Sequence, residues 1–269
     1  MPNIPGRHFF RNLYSGHTLL LELAKRDFSK RFVGSIAGWL WGLIHPLVML
    51  ASWTFVFQVC MKQTLPPNEV TDNYTVYLFT GYLPWMLFTE TVTRSATTLV
   101  DNSNLITKTV FPSEILPVSV FLSSLMSHLL ALALAIVLVI VVEGGVSPMA
   151  LLLPGYMLLL GIFAVGIGWL VSSLQVYLRD TVQVVGVVLT LWFWLTPIFI
   201  FEQQIPESLR FLIRYNPLAY VVRAYRDRLL SNQLPDFGEL AILSGCAVAA
   251  SFVGGMFFRH LKRGFADVL

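Results

Sequence analysis

Charge is scarce in this chain. Of its 269 residues only 12% are Asp, Glu, Lys or Arg, while 56% are hydrophobic. Soluble domains run near a quarter charged, so an ordinary soluble enzyme is excluded at the outset. Cysteine is nearly missing. Cys60 and Cys246 both stand in apolar runs, which argues against a disulfide framework. The five histidines, at positions 8, 17, 45, 128 and 260, lack metal-ligand spacing. No G-x-x-x-x-G-K-[ST], H-E-x-x-H or G-x-S-x-G occurs. The chain therefore has no P-loop for ATP, no zincin helix and no hydrolase elbow, and no cofactor bound by this chain is expected. A formal net charge of +3 is too small to suggest a nucleic-acid partner. Residues 1–18 carry Arg7, His8 and Arg11 without an apolar core, so a signal peptide is not expected there.

What the chain does have is long apolar stretches. A helix needs about 20 such residues to cross the hydrocarbon. Six stretches qualify or nearly so, at about 35–61, 74–93, 115–142, 149–171, 182–201 and 240–258. None alternates apolar and polar residues as barrel strands do, so the expectation is an all-α polytopic membrane protein of six spans. Residues 1–34 form an interface segment, 35–258 the transmembrane domain and 259–269 a tail. Gly161, Gly166, Gly168, Gly254 and Gly255 offer close helix packing. Pro46, Pro84 and Pro197 read as kinks within spans. His128, inside the third span, reads as a packing hydrogen bond. Glu90 and Glu114, near the ends of spans two and three, show no obvious intramembrane partner. A self-contained proton-coupled pump is therefore disfavoured.

Lysine and arginine set the orientation. Arg7, Arg11, Lys25, Arg26, Lys30 and Arg31 precede the first span, and Arg259, Lys262 and Arg263 follow the last. Both termini are thus expected in the cytoplasm. Residues 202–237 break the pattern: they fall on the outer side yet carry Arg210, Arg214, Arg223, Arg226 and Arg228. Pro206-Glu207-Ser208 reads as a helix start, Asn216-Pro217 as a break, and Leu218 to Leu230 as a second, amphipathic helix. Two short re-entrant helices on the outer face are expected. The competing reading makes 210–230 cytoplasmic and changes the span count. Near the N-terminus, Leu20, Leu21, Ala24, Phe28 and Phe32 recur at helical spacing with Lys25, Arg26, Lys30 and Arg31 largely between them. This is a basic amphipathic helix suited to membrane lipid headgroups. It serves either as a lipid anchor or as a site for an anionic substrate headgroup. It ends at Gly34-Ser35, where the chain can turn into the first span.

The run from Arg26 through Asp27, Phe28, Ser29, Lys30 and Arg31 to Gly34-Ser35, followed by Gly38-Trp39-Leu40-Trp41 and His45-Pro46-Leu47, resembles the opening of ABC-2 type permeases that export O-antigen, capsular polysaccharide or teichoic acid. Asn104-Leu105-Ile106 with Phe111-Pro112-Ser113-Glu114, Tyr177-Leu178-Arg179-Asp180, Thr196-Pro197-Ile198, Asn216-Pro217-Leu218 and the tail Gly264-Phe265-Ala266-Asp267-Val268-Leu269 keep the family's order. The tail is similar to the O-antigen branch. No single motif is specific; the ordered set is.

The resemblance implies a homodimer in the bacterial inner membrane, paired with two copies of a separate ABC ATPase subunit that uses ATP and Mg. It implies export of an undecaprenyl-diphosphate-linked polysaccharide. It also places a coupling helix in the loop from Thr97 to Pro112. There Asp101-Asn102-Ser103 can cap a short helix, and Leu105, Ile106 and Val110 offer an apolar face. The ATPase contacts would be Asp101, Asn102, Asn104, Leu105, Ile106 and Lys108, with Tyr177, Arg179 and Asp180 as the second patch. The alternative for that patch is a local ion pair closing a tight turn. The lipid diphosphate would meet Arg26, Lys30 and Arg31, with Arg7 and Arg11 behind them. Aromatic rings suit the C–H faces of sugars. The glycan-channel candidates are Trp39, Trp41, Tyr74, Tyr77, Tyr82, Trp85, Trp192, Trp194 and Phe199, although belt and packing roles compete for each ring. Other readings are an ABC-2 exporter of a drug or small lipid, an intramembrane glycan-processing enzyme, and a non-catalytic scaffold or channel. No Ser–His or paired-carboxylate constellation favours the enzyme.

Overall fold

The computed structural model describes residues 16–31, 33–36, 38–67, 69–109, 111–201 and 204–269. Arg7, Arg11, Phe32 and Val110, singled out above, lie outside the described residues. The described residues form helices and no strand. α1 spans His17–Lys30. A 3-10 turn, Gly38–Leu40, leads into α2, Trp41–Trp53, which continues as a π-helical stretch, Thr54–Cys60. α3 is Tyr74–Asp101, α4 Ser103–Lys108 and α5 Ile115–Glu143. A 3-10 turn at Pro148–Leu152 opens α6, Leu153–Tyr177, and α7 is Thr181–Trp194. The short turn Glu207–Leu209 precedes α8, Arg210–Arg214, followed by α9, Pro217–Leu230. α10 is Phe237–Leu261, and a turn at Lys262–Gly264 carries the chain into α11, Phe265–Val268.

Four of these segments are long and apolar enough to cross a membrane: Gly38–Cys60, Ile115–Glu143, Pro148–Tyr177 and Phe237–Val268. The other two expected spans depart from that pattern for opposite reasons. α3 has 28 residues, about 42 Å at 1.5 Å per residue, but it carries Glu90, Arg94 and several threonines. It tolerates them because it is central: α5, α6, α7 and α9 all pack against it, and most of its residues are buried. α7 is apolar but has only 14 residues. The fifth span was expected as one stretch over 182–201, yet the helix stops at Trp194. Pro197 therefore follows the helix and does not kink it, whereas Pro46 and Pro84 lie inside α2 and α3. The residue before a proline is pushed out of the helical region, and the ring clashes with the carbonyl four residues back.

Of the glycines placed in spans four and six, Gly166 and Gly254 meet as expected, whereas Gly161 faces Phe121 of α5 and Gly168 faces Ser95 of α3. α10 packs along α6. A Cβ at Gly254 would lie 1.9 Å from the Gly166 carbonyl oxygen, and one at Gly166 would lie 2.5 Å from the Ala250 backbone. Such approach gains van der Waals contact that lipid cannot supply. Ser251 Oγ donates across the same seam to Ile162 O at 2.8 Å. After α1 the chain turns at Gly34, with φ +79°, and Gly38, with φ +53°, left-handed values that a side chain would strain.

Candidate coupling and transport sites

The base of the structure is a polar cluster between α1, α3 and α5. Asp27 and Arg31 stand four residues apart at the end of α1; Glu90 and Arg94 stand four apart on α3. Each acid pairs across the gap. Arg94 Nη2 donates to Asp27 at 2.6 and 2.7 Å, and Arg31 Nη1 donates to Glu90. Arg31 Nη1 and Nη2 also meet a serine row on α5: Ser127 Oγ at 2.9 Å, Ser123 Oγ at 2.9 Å and Ser124 Oγ at 3.3 Å. Ser124 Oγ also donates to Glu90 at 3.1 Å. Two cations and two anions balance, which is how half-buried charges are tolerated. Burial lowers the Arg31 pKa, and the adjacent Glu90 opposes that.

This corrects the reading that Glu90 and Glu114 lack partners. Glu90 meets Arg31 and Arg94; Glu114 meets Lys262. Residue types alone could not pair groups 59 or 148 positions apart. One signal was legible and missed: three hydroxyls, Ser123, Ser124 and Ser127, on one face of an otherwise apolar helix call for a buried polar partner. The three headgroup candidates are also separated. The Arg31 guanidinium points inward at Glu90 and the serines. Arg26 and Lys30 instead line a cavity of about 240 Å³ that reaches Arg94, Asp101 and Asn102.

The expected coupling segments occupy the same end of the bundle. α4 is a real but short helix, with Asn104 and Lys108 exposed and Leu105 and Ile106 half-buried. Ile106 packs toward the core. Asn102 does not cap α4 through its side chain as expected; its Nδ2 donates back to Thr98 O at 2.8 Å and closes α3. Tyr177, Arg179 and Asp180 are exposed at the α6–α7 turn. Gln175 closes that turn: its Nε2 donates to Arg179 O at 3.1 Å and its Oε1 accepts from Val182 N at 3.0 Å. No Arg179–Asp180 ion pair occurs among the described residues, so the turn does not depend on one. Tyr177 Oη donates to Leu261 O at 2.9 Å.

The aromatic candidates divide. Tyr74, Tyr77, Trp85 and Phe199 are buried, and Tyr82 and Trp192 half-buried. They share one internal cluster: Trp53 meets Tyr82 and Phe199 edge-on at 4.5 and 4.9 Å, Trp85 meets Phe193 at 5.3 Å, and Phe88 meets Trp192 at 5.3 Å. Trp39, Trp41 and Trp194 are each more than half exposed.

At the other end, Arg223, Arg226 and Arg228 of 202–237 find partners within the protein, while Arg210 and Arg214 are exposed. Arg226 is buried. It donates to Tyr77 O at 3.2 Å, Tyr77 Oη at 2.9 Å, Pro197 O at 2.9 Å and Ile198 O at 3.0 Å, with its guanidinium 3.5 Å from the Tyr77 ring centroid. Asn216 Nδ2 donates to Leu195 O at 3.2 Å. The carbonyls released where α7 stops are thus satisfied by side chains of Asn216 and α9, as buried backbone requires. Gly81 makes room: a Cβ there would sit 2.4 Å from Arg226 Nη2. Arg223 pairs with Glu239 at 2.7 Å, and Arg228 donates to Gln233 O. These three charges thus serve packing within the protein. His128 makes the expected packing contact, its Nε2 lying 3.0 Å from Tyr225 Oη.

Similarity to known proteins bears on this architecture. The family model described as ABC-2 type transporter matches residues 18–230. The O-antigen export system permease protein RfbA of Klebsiella pneumoniae is 31% identical over 254 residues, covering 93% of this chain and 95% of the relative. Its namesake in Myxococcus xanthus is 29% identical, covering 96% and 97%. The polysialic acid transport protein KpsM of Escherichia coli is 22% identical over 87% and 90%. With an all-helical fold, apolar spans and a family match over most of its length, the chain belongs to the ABC-2 type transporter family.

Proposed function

We propose that this chain is the permease subunit of an exporter of lipid-linked polysaccharide, of O-antigen type, in the bacterial inner membrane. The observation that carries the reading is similarity to O-antigen export permeases over nearly the whole of both chains. In this reading α2 with its π-helical extension, α3, α5, α6, α7 with residues 195–201, and α10 are six spans. The α4 end is cytoplasmic, as are both termini, and α8 and α9 are the re-entrant outer pair.

Two copies of the chain form the pore, each driven by its own ABC ATPase subunit that binds ATP and Mg. α2 and α7 carry exposed apolar faces, including Val48, Phe55, Val184, Val187 and Leu191, available to the second copy or to lipid. Arg26 and Lys30, exposed beside an open cavity, supply the positive charge for the undecaprenyl diphosphate. Arg31 holds the interface helix to α3 and α5. Trp39, Trp41 and Trp194 are the rings with free faces for the glycan. The ATPase docks on α4 and the 177–180 turn, and its stroke enters the bundle through α3, α5 and α6.

The reading is tested by co-purifying the chain with a Walker A ATPase subunit and measuring hydrolysis with undecaprenyl-diphosphate glycan added. Stimulated hydrolysis is expected in the unmodified complex. Arg179→Glu and Asn104→Pro are expected to fold and insert normally while glycan export falls. Unchanged export in both variants would remove the docking assignment. A chain that neither binds nor stimulates an ATPase would overturn the function.

A further inference from the structure

The segment after α10 touches every element that the coupling reading needs. Lys262 Nζ reaches Glu114 Oε2, and that carboxylate, at the start of α5, is only 2% exposed. Glu114 is tied in turn to α6, its carbonyl accepting from Trp169 Nε1 at 3.0 Å. Phe265 is buried, edge-on to Phe258 at 5.4 Å and 6.3 Å from the Tyr177 ring. Tyr177 Oη donates to the Leu261 carbonyl at the end of α10. Gly264 admits the hydroxyl: a Cβ there would lie 2.5 Å from Tyr177 Oη. α11 packs against both α4 and α6, and Leu269 against the core.

Neither α4, six residues long, nor α11, four residues long, is able to hold helical form alone; helices below about 12 residues are marginal in water without packing. The position of α4 is therefore set by what it leans on. Tyr177, expected from sequence to face the ATPase, has its hydroxyl engaged within the chain.

We propose that residues 262–269 are a brace that fixes α4, the start of α5 and the 177–180 turn as one rigid docking face. Lys262, Gly264 and Phe265 are its positioning residues. The brace makes two patches, more than 60 residues apart in sequence, move together when the ATPase pushes on either. This inference rests on the coupling role proposed above, but its physical content is measurable without any partner.

The test uses the full chain in detergent or nanodiscs, with Phe265→Ala, Phe265→Leu and Lys262→Gln. In the permease alone, Phe265→Ala is expected to raise amide hydrogen exchange by about tenfold or more at 103–109 and 178–182 together, while mid-helix amides of α3 and α6 stay protected. Phe265→Leu restores protection, and Lys262→Gln gives a smaller rise in the same two segments. In the ATPase complex, Phe265→Ala keeps assembly and hydrolysis while glycan exported per ATP falls about fivefold, a size of coupling loss seen when a transmitting contact is cut. Loosening confined to 262–269 overturns the brace, as does export falling only in step with hydrolysis or with folded protein. If Phe265→Ala does not fold, Lys262→Gln and Gly264→Ala carry the same readouts. If the unmodified chain engages no ATPase, the exporter reading fails, and the exchange data alone decide whether the brace exists.

Discussion

The two ends of the bundle bury arginine in different ways. Near α1, Arg31 and Arg94 face the carboxylates Glu90 and Asp27, and every charged partner is a side chain, on the facing helix or four residues away along the same one. Beside the end of α7, Arg226 faces backbone: the carbonyls of Tyr77, Pro197 and Ile198. A side-chain cluster can trade partners. Arg31 already lies 3.9 Å from Asp27, and Arg94 lies 3.7 Å from Glu90, so a small helix shift exchanges pairs without stranding a charge. A carbonyl cage offers no such exchange, since its acceptors are backbone atoms of the first turn of α3 and of the segment that follows α7. The first end offers its charges alternative partners; the second satisfies the carbonyls that follow α7.

This contrast fails if Arg226 proves expendable. Arg226→Met leaves several buried acceptors without a donor, each worth about 1–3 kcal/mol. A loss on the order of 3–5 kcal/mol is expected, read as a large drop in thermal unfolding midpoint of the purified protein. An unshifted midpoint would make the cage ornamental. At the other end, Glu90→Gln is expected to cost less, about 1–3 kcal/mol, because it strands Arg31 in a site that is still partly solvated. Adding Arg31→Met should recover part of that loss, since removing both members of a pair costs less than removing one. A double variant worse than the single by the full cost of a second lesion would show the cluster is not an exchangeable pair network. The smallest effect is expected at a neutral bond between the two ends. Tyr225→Phe deletes the contact with His128 and should cost about 1 kcal/mol; a loss as large as that of Arg226→Met would mean that burial alone, not the carbonyl partners, makes Arg226 costly.

Much of the fold is legible in the residues. The Gly166–Gly254 seam follows from small residues in two apolar runs, and α9 follows from Asn216-Pro217, where Asn216 Oδ1 does accept from Leu218 N at 3.0 Å. The end of α7 at Trp194 was signalled by Pro197, but an apolar run hides a helix break because irregular backbone there can be equally apolar. The buried aromatic cluster was not legible. Tyr74 and Trp85 read as belt or channel rings because composition does not tell a ring facing lipid from one facing α2 or α7. The short helix holding Asn104 and the loop holding Arg179 were foreseen, whereas the packing of α11 against α4 and α6 was not.

The sequence by itself determined that this is an apolar, helical, membrane-embedded chain with a basic amphipathic N-terminal helix, because burial in lipid constrains composition and period residue by residue. Only the tertiary structure decided which charges are free. Arg26 and Lys30 remain exposed beside an open cavity, while Arg31, Arg226 and Lys262 are spoken for by groups 28 to 149 positions away. The physical reason is that a charge's role depends on the acceptor within about 3 Å of it, and sequence distance carries almost no information about that.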